Sequence, residues 1–279
     1  MARTARIILL ILLCVSSANA DTLRVISLYP GHSENIFALG GGDMLSAVSE
    51  NDDNNFMPSL PRISLRSGAE RILALRPDVV VTRSFAVRLN PNLYDVLERS
   101  GVNVVVLDPP SWEDFPSYLK ALAETLNLDP EYALSRLEDI RAGIEARVRE
   151  KSGSYRPRVF LEATSRELHT CSPDSWAARL IELAGGINIA SEAKPLRSGS
   201  AVASWGVERV IGNKDKIDVY IIQTGAMNNS GIQDFHAREW SRALDGVKVV
   251  EIPEKYLSRP SLLGLEYGGN ELLKIFWGE

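Results

Sequence analysis

The chain has 279 residues, 31 Lys+Arg against 36 Asp+Glu, and 45% hydrophobic residues, enough for one large domain or two lobes of roughly 100–130 residues each. With 24% charged and 7% aromatic residues it is neither disordered, collagenous nor a disulfide scaffold. A formal charge of −5 supplies no basic field for nucleic acid, and two cysteines allow one disulfide at most and no Cys-rich metal site.

Residues 1–20 read as a cleaved secretory signal. Arg3 and Arg6 give the positive start, 7–15 the apolar run, and Ala18-Asn19-Ala20 the small–x–small pattern before Asp21. The run is too short to span a membrane, and no second one follows. Leu13 stands where a lipoprotein signal would place a small residue ahead of Cys14, so no lipid anchor is expected. Removing the segment takes two arginines and no acid, which makes the mature chain more acidic. Cys171 is then the lone thiol and reads as a small buried residue.

Beyond the signal, strands are predicted over 24–28, 44–48, 78–82 and 103–107. Helices are predicted between and after them over 33–39, 69–75, 93–100 and 112–126. Such alternation predicts a mostly parallel sheet covered on both faces. Asp129-Pro130 is an N-cap followed by proline at the first helical position. Leu134, Leu137, Ile140, Ile144 and Val148 then recur at helical spacing, so one long helix is predicted over 129–152. A second α/β set follows: strands over 158–162, 218–222 and 248–252, helices over 176–184 and 207–211, and a C-terminal helix from Leu262. The expected fold class is therefore α/β, two lobes with mostly parallel sheets joined by one long rigid helix, with a ligand cleft between the lobes. The expected divisions are 21–128, the helix 129–152, and 153–279. Ligand sites in open α/β sheets lie beyond the carboxyl ends of the strands, so the residues just after each strand are the candidates.

Four segments resemble one known family. They are 24–30 with 34–40, then 70–80 (Glu-Arg-Ile-Leu-Ala-Leu-Arg-Pro-Asp-Val-Val), 180–188 (Leu-Ile-Glu-Leu-Ala-Gly-Gly-Ile-Asn), and Leu257-Ser258-Arg259-Pro260. In this order they are similar to the periplasmic substrate-binding proteins of iron-siderophore, haem and vitamin B12 ABC importers. The resemblance implies a periplasmic monomer with no catalytic residues and no resident cofactor or bound structural metal. It also implies partners: a metal-chelate ligand, a transmembrane permease and its ATPase. An enzyme is disfavoured because no nucleophile–base spacing is present, and His32, His169 and His236 are too scattered for a zinc site. Asn51-Asp52-Asp53-Asn54-Asn55 lacks the glycine and distal glutamate of a calcium loop and reads as a solvated turn.

The resemblance places the ligand against loops that carry Tyr29, His32, Asn51, Arg66, Arg83, Arg166, Trp205 and Arg259. Relatives that bind corrinoids tend to carry aromatics where this chain has Leu65-Arg66 and Arg83. Arginines forking into a cleft suit carboxylates or phosphates, so Arg66, Arg83 and Arg259 favour an anionic chelate, a ferric siderophore first. Corrinoids and haem remain as alternatives, haem with Tyr29 or His32 as an iron ligand. Glu70 and Glu208 each open a short helix that precedes a strand begun by Asp. From the family they are the expected docking points for permease arginines.

Overall fold

The computed structural model describes residues 22–53, 59–151, 153 and 155–278; the expected signal over 1–20, with Cys14, lies outside the described residues. The N-terminal lobe opens with β1 (Val25–Ser27), α1 (Pro30–Ala38), β2 (Leu45–Ser49) and the short β3 (Arg62–Ile63). It continues through α2 (Ala69–Leu73), β4 (Val79–Thr82), α3 (Ser84–Leu89), α4 (Pro91–Arg99), β5 (Asn103–Val106) and α5 (Phe115–Thr125). Its strands form one parallel sheet in the order β3-β2-β1-β4-β5. The central strands β1 and β4 are buried along their whole length, which is why they read as unbroken apolar runs rather than alternations.

The linking helix α6 (Glu131–Lys151) spans 21 residues, and the Asp129 carboxylate accepts the Glu131 N–H at its start. Beyond it come β6 (Arg158–Glu162), β7 (Thr170–Cys171), α7 (Trp176–Leu183), β8 (Ile187–Asn188), β9 (Lys194–Pro195) and β10 (Val202–Ser204). The chain ends with α8 (Val207–Gly212), β11 (Val219–Thr224), α9 (Ile232–Ala237), β12 (Lys248–Pro253), α10 (Glu254–Leu257) and α11 (Leu262–Trp277). A second parallel sheet has the order β12-β11-β6-β8, while β7-β10-β9 form a small antiparallel sheet beside it.

The two lobes repeat one device. Asp78, just before β4, accepts the Arg24 N–H at 2.8 Å. Asp218, just before β11, accepts the Arg158 N–H at 2.7 Å. Each carboxylate pins the start of one central strand to its parallel neighbour.

One apolar cluster runs through both lobes, joining β1 and β4 to α5, α6, α7 and α11. Two smaller clusters line the outer faces of the sheets. Trp112 and Phe115 of the first lobe meet Trp176 of the second, with ring centroids 4.7 and 4.9 Å apart. Asn35 on α1 donates to the Pro260 carbonyl at 3.0 Å and accepts the Leu262 N–H at the start of α11. The lobes are thus joined by packing and hydrogen bonds as well as by α6. No described helix is long and apolar enough to cross a membrane.

The elements expected from the sequence are present with no end shifted by more than three residues. α1 starts at Pro30 rather than at 33, because Pro30 is pre-set for the first helical turn and Tyr29 sits extended at its N-cap. Not anticipated were α3, which follows β4 directly, the antiparallel β7-β10-β9 sheet, and the short α9 and α10.

Candidate ligand-binding cleft

At the carboxyl ends of both parallel sheets lies a cleft of ≈ 490 Å³. The first lobe contributes Leu28 and Tyr29 after β1, Asn51 and Asp53 after β2, Leu65 after β3, and Arg83 after β4. The second lobe contributes Thr224 to Met227 at the end of β11, with Glu254, Lys255 and Arg259 around α10. Of the expected residues, the fold therefore brings together Tyr29, Asn51, Arg83 and Arg259.

Four others lie elsewhere, each for a physical reason. His32 belongs to the first turn of α1, not to a loop, and is fully buried. Its Nδ1 lies 2.7 Å from the Tyr118 hydroxyl, and burial, reinforced by the nearby Arg83 charge, lowers its pKa to about 4. It stays neutral and out of reach of a ligand's iron. Arg66 is exposed, and its neighbour Leu65 takes the lining position. Arg166 is 89% exposed at the side chain and pairs only loosely with Glu167 at 3.9 Å. Trp205 follows β10, a strand of the antiparallel sheet, so its loop is not at the mouth of β6 and β11. Its ring packs near Phe160, with Arg209 over its face. Asp52, next to the lining residues, is buried and turns away to pair with Arg62.

The electrostatics of the cleft are dominated by pairs that cross between the lobes. Arg259 donates to Glu34 at 2.6 Å and to Asp53 at 3.0 Å, and Lys255 reaches the other Asp53 oxygen at 3.2 Å. Burial works against the Arg259 charge, but the two carboxylates outweigh it and hold its pKa above the ordinary guanidinium value. Burial likewise opposes the Asp53 charge, and the two cations more than offset it, so Asp53 ionises below the usual carboxylate range.

Arg83 differs. Its guanidinium lies 4.2 Å from the centroid of the Tyr29 ring, its Nε is buried with no hydrogen-bond partner, and among the described residues it makes no ion pair. Burial raises the Tyr29 pKa, opposed by Arg83 and Arg259, so the phenol keeps its proton.

The cleft loop of the second lobe is held from behind. Asn228 exchanges backbone hydrogen bonds with Gly225, accepts the Ser165 N–H, and donates to buried Glu162 at 3.0 Å. Glu162 in turn accepts from both Arg238 nitrogens, at 2.6 and 2.9 Å, and from the Tyr220 hydroxyl at 2.6 Å. This satisfied network fixes the backbone that carries Thr224 to Met227. Sequence reasoning missed Asp53, Glu254 and Lys255. Asp53 lay in a polar run that reads as a solvated turn, and the other two sit on a helix too short to show periodicity. Among the described residues no group of three His, Cys, Asp or Glu side chains could hold a metal ion.

Comparison with known proteins agrees with this architecture. A vitamin B12-binding protein of Vibrio vulnificus (strain CMCP6) is 26% identical over 265 residues, covering 92% of this chain and 93% of that protein. One from Yersinia pestis (strain Pestoides F) is 31% identical over 196 residues, 69% of this chain and 68% of that protein. Among solved structures, a periplasmic haem-binding protein of Vibrio cholerae matches with a TM-score of 0.71 at 20% identity, over 90% of this chain and 99% of that one. A periplasmic vitamin B12-binding protein of Vibrio cholerae matches with a TM-score of 0.59 at 24% identity, over 90% and 96%. The family model described as "Periplasmic binding protein" matches residues 17–255, and the chain belongs to that family.

Proposed function

We propose that the protein is the periplasmic substrate-binding component of an ABC importer and that its ligand is a metal chelate of the corrinoid class. The observation that carries this reading is the mutual neutralisation of Arg259, Lys255, Asp53 and Glu34 across the cleft. A paired cluster offers little to a polyanion, whereas cyanocobalamin is neutral, its cobalt(III) charge being balanced by the corrin ring, the axial cyanide and the nucleotide phosphodiester. The curated relatives named for vitamin B12 support the same choice. One specific feature favours a ferric siderophore as a second reading: among the described residues Arg83 is a lining cation that makes no ion pair with a carboxylate. The same guanidinium suits a corrinoid phosphodiester equally well. Haem ligation by His32 has no support, since that ring is buried away from the cleft.

In this reading residues 1–20 are the export signal, 21–128 and 153–279 are the lobes that close on the chelate, and 129–152 is the connection. The protein acts as a monomer and releases its ligand unchanged. Exposed Glu70 on α2 and exposed Glu208 on α8 meet the permease. Calorimetric titration with cyanocobalamin tests the ligand class. One-to-one binding, with the corrinoid recovered chemically intact, is expected; no binding at millimolar cyanocobalamin would overturn the reading.

A further inference from the structure

Asp53 reaches across the cleft mouth from the loop after β2 to two cations of the other lobe. One oxygen lies 3.0 Å from an Arg259 nitrogen and the other 3.2 Å from the Lys255 ammonium. Arg259 already has a dedicated counter-charge in Glu34, which is 2% exposed and belongs to the packed interior. Asp53 is different in kind, with its side chain 50% exposed while the cations it covers are 13% and 21% exposed. Three cations line the cleft, Arg83, Lys255 and Arg259. They are balanced by Asp53, Glu254 and, from behind, Glu34. Removing the Asp53 charge alone leaves a positive excess in a partly desolvated cleft, where charge acts more strongly than at an open surface.

We propose that Asp53 is a specificity-determining residue: by occupying Lys255 and Arg259 it turns the cleft away from polyanionic chelates and toward near-neutral ones. The inference rests on the corrinoid reading above and names the residue that enforces it. Discrimination of this kind works by spoiling the site for the competitor rather than by improving contacts to the preferred ligand.

The test is Asp53→Asn, which keeps size and hydrogen bonding while removing the charge. The probe is the trianionic ferric complex of a hexadentate tris-catecholate, titrated by fluorescence quenching at low and high ionic strength. At low salt the variant should bind this probe at least tenfold more tightly than the unaltered protein, and the gain should shrink at high salt. Misfolding cannot produce a gain. Asp53→Ser, with both variants' unfolding midpoints measured, keeps a negative result interpretable. Affinities within twofold of the unaltered protein in folded variants, or a gain indifferent to salt, would overturn the assignment. Failure of the unaltered protein to bind cyanocobalamin, alongside a gain in Asp53→Asn, would remove the corrinoid reading and leave the role of Asp53 standing. Cyanocobalamin binding without that gain would do the reverse.

Discussion

Arg83 and Arg259 show how two arginines in one cleft come to have different roles. Arg259 is committed to buried Glu34, and removing it would take from that carboxylate a counter-charge held at 2.6 Å, so its loss would register in stability as well as in binding. Arg83 lies over the Tyr29 ring, with the Phe85 ring farther off at 6.0 Å, and its Nε has no hydrogen-bond partner among the described residues, so it retains donors for a ligand. Arg83→Ala should therefore weaken cyanocobalamin binding by about 1.5–3 kcal/mol, the scale of a charge-assisted hydrogen bond. Arg66→Ala, outside the cleft, should change it by less than about 0.5 kcal/mol in the same calorimetric series. His32 makes a pH prediction. Unfolded, the imidazole takes a proton near 6.5; folded, only near about 4. Between those values the unfolded chain holds the extra proton. Stability is then complete above pH 6.5 and falls as the pH drops toward 4, by about 3 kcal/mol across the window. Denaturant melts at several pH values should show this arm, and His32→Gln should flatten it. An unchanged slope in that variant would assign the acid sensitivity to other groups.

Among the elements, α10 and α11 approach each other closely at Gly268 of α11. A Cβ on Gly268 of α11 would sit 1.9 Å from the Tyr256 carbonyl oxygen, a backbone atom that cannot rotate aside. Gly268→Ala should cost about 3 kcal/mol, read as a lowered unfolding midpoint, because α11 must move off α10. The displacement would also reach the Lys255 and Arg259 side chains of the cleft. Much of this scale was legible in the sequence. β6 is found at its expected bounds, α6 where apolar spacing and its cap placed it, and α11 starts at the expected Leu262, because long periodic segments and buried parallel strands carry strong patterns. The antiparallel sheet was not legible, since strands of two or three residues such as β7 and β9 have no periodicity to read. The cleft was half legible. The rule that sites lie beyond strand ends located Tyr29, Asn51 and Arg83. It misplaced His32, where a helix begins at once after Tyr29, and Trp205, where the preceding strand belongs to the other sheet. Which cations were already paired depended on contacts between residues some two hundred positions apart, and no local pattern encodes that.

At the scale of the whole molecule, the lobes share one continuous apolar core and a hydrogen-bonded seam at Asn35, which joins the two walls of the cleft. The exposed Glu70 and Glu208 open equivalent short helices, each followed by an Asp that pins a central strand. Two separated carboxylates fix orientation on a two-subunit permease better than one. The double variant Glu70→Arg with Glu208→Arg should abolish uptake in cells while leaving cyanocobalamin affinity and unfolding temperature close to their original values. Uptake at the normal rate would return both residues to the role of acidic groups at helix starts. The central claim, that the cleft selects a near-neutral corrinoid, is tested most directly by competition dialysis against equal concentrations of cyanocobalamin, haemin and a trianionic ferric tris-catecholate. The absorption spectrum of the protein compartment identifies the ligand retained. The account predicts corrinoid bands in excess over the dialysate, and a retained Soret band or catecholate charge-transfer band in their place would contradict it.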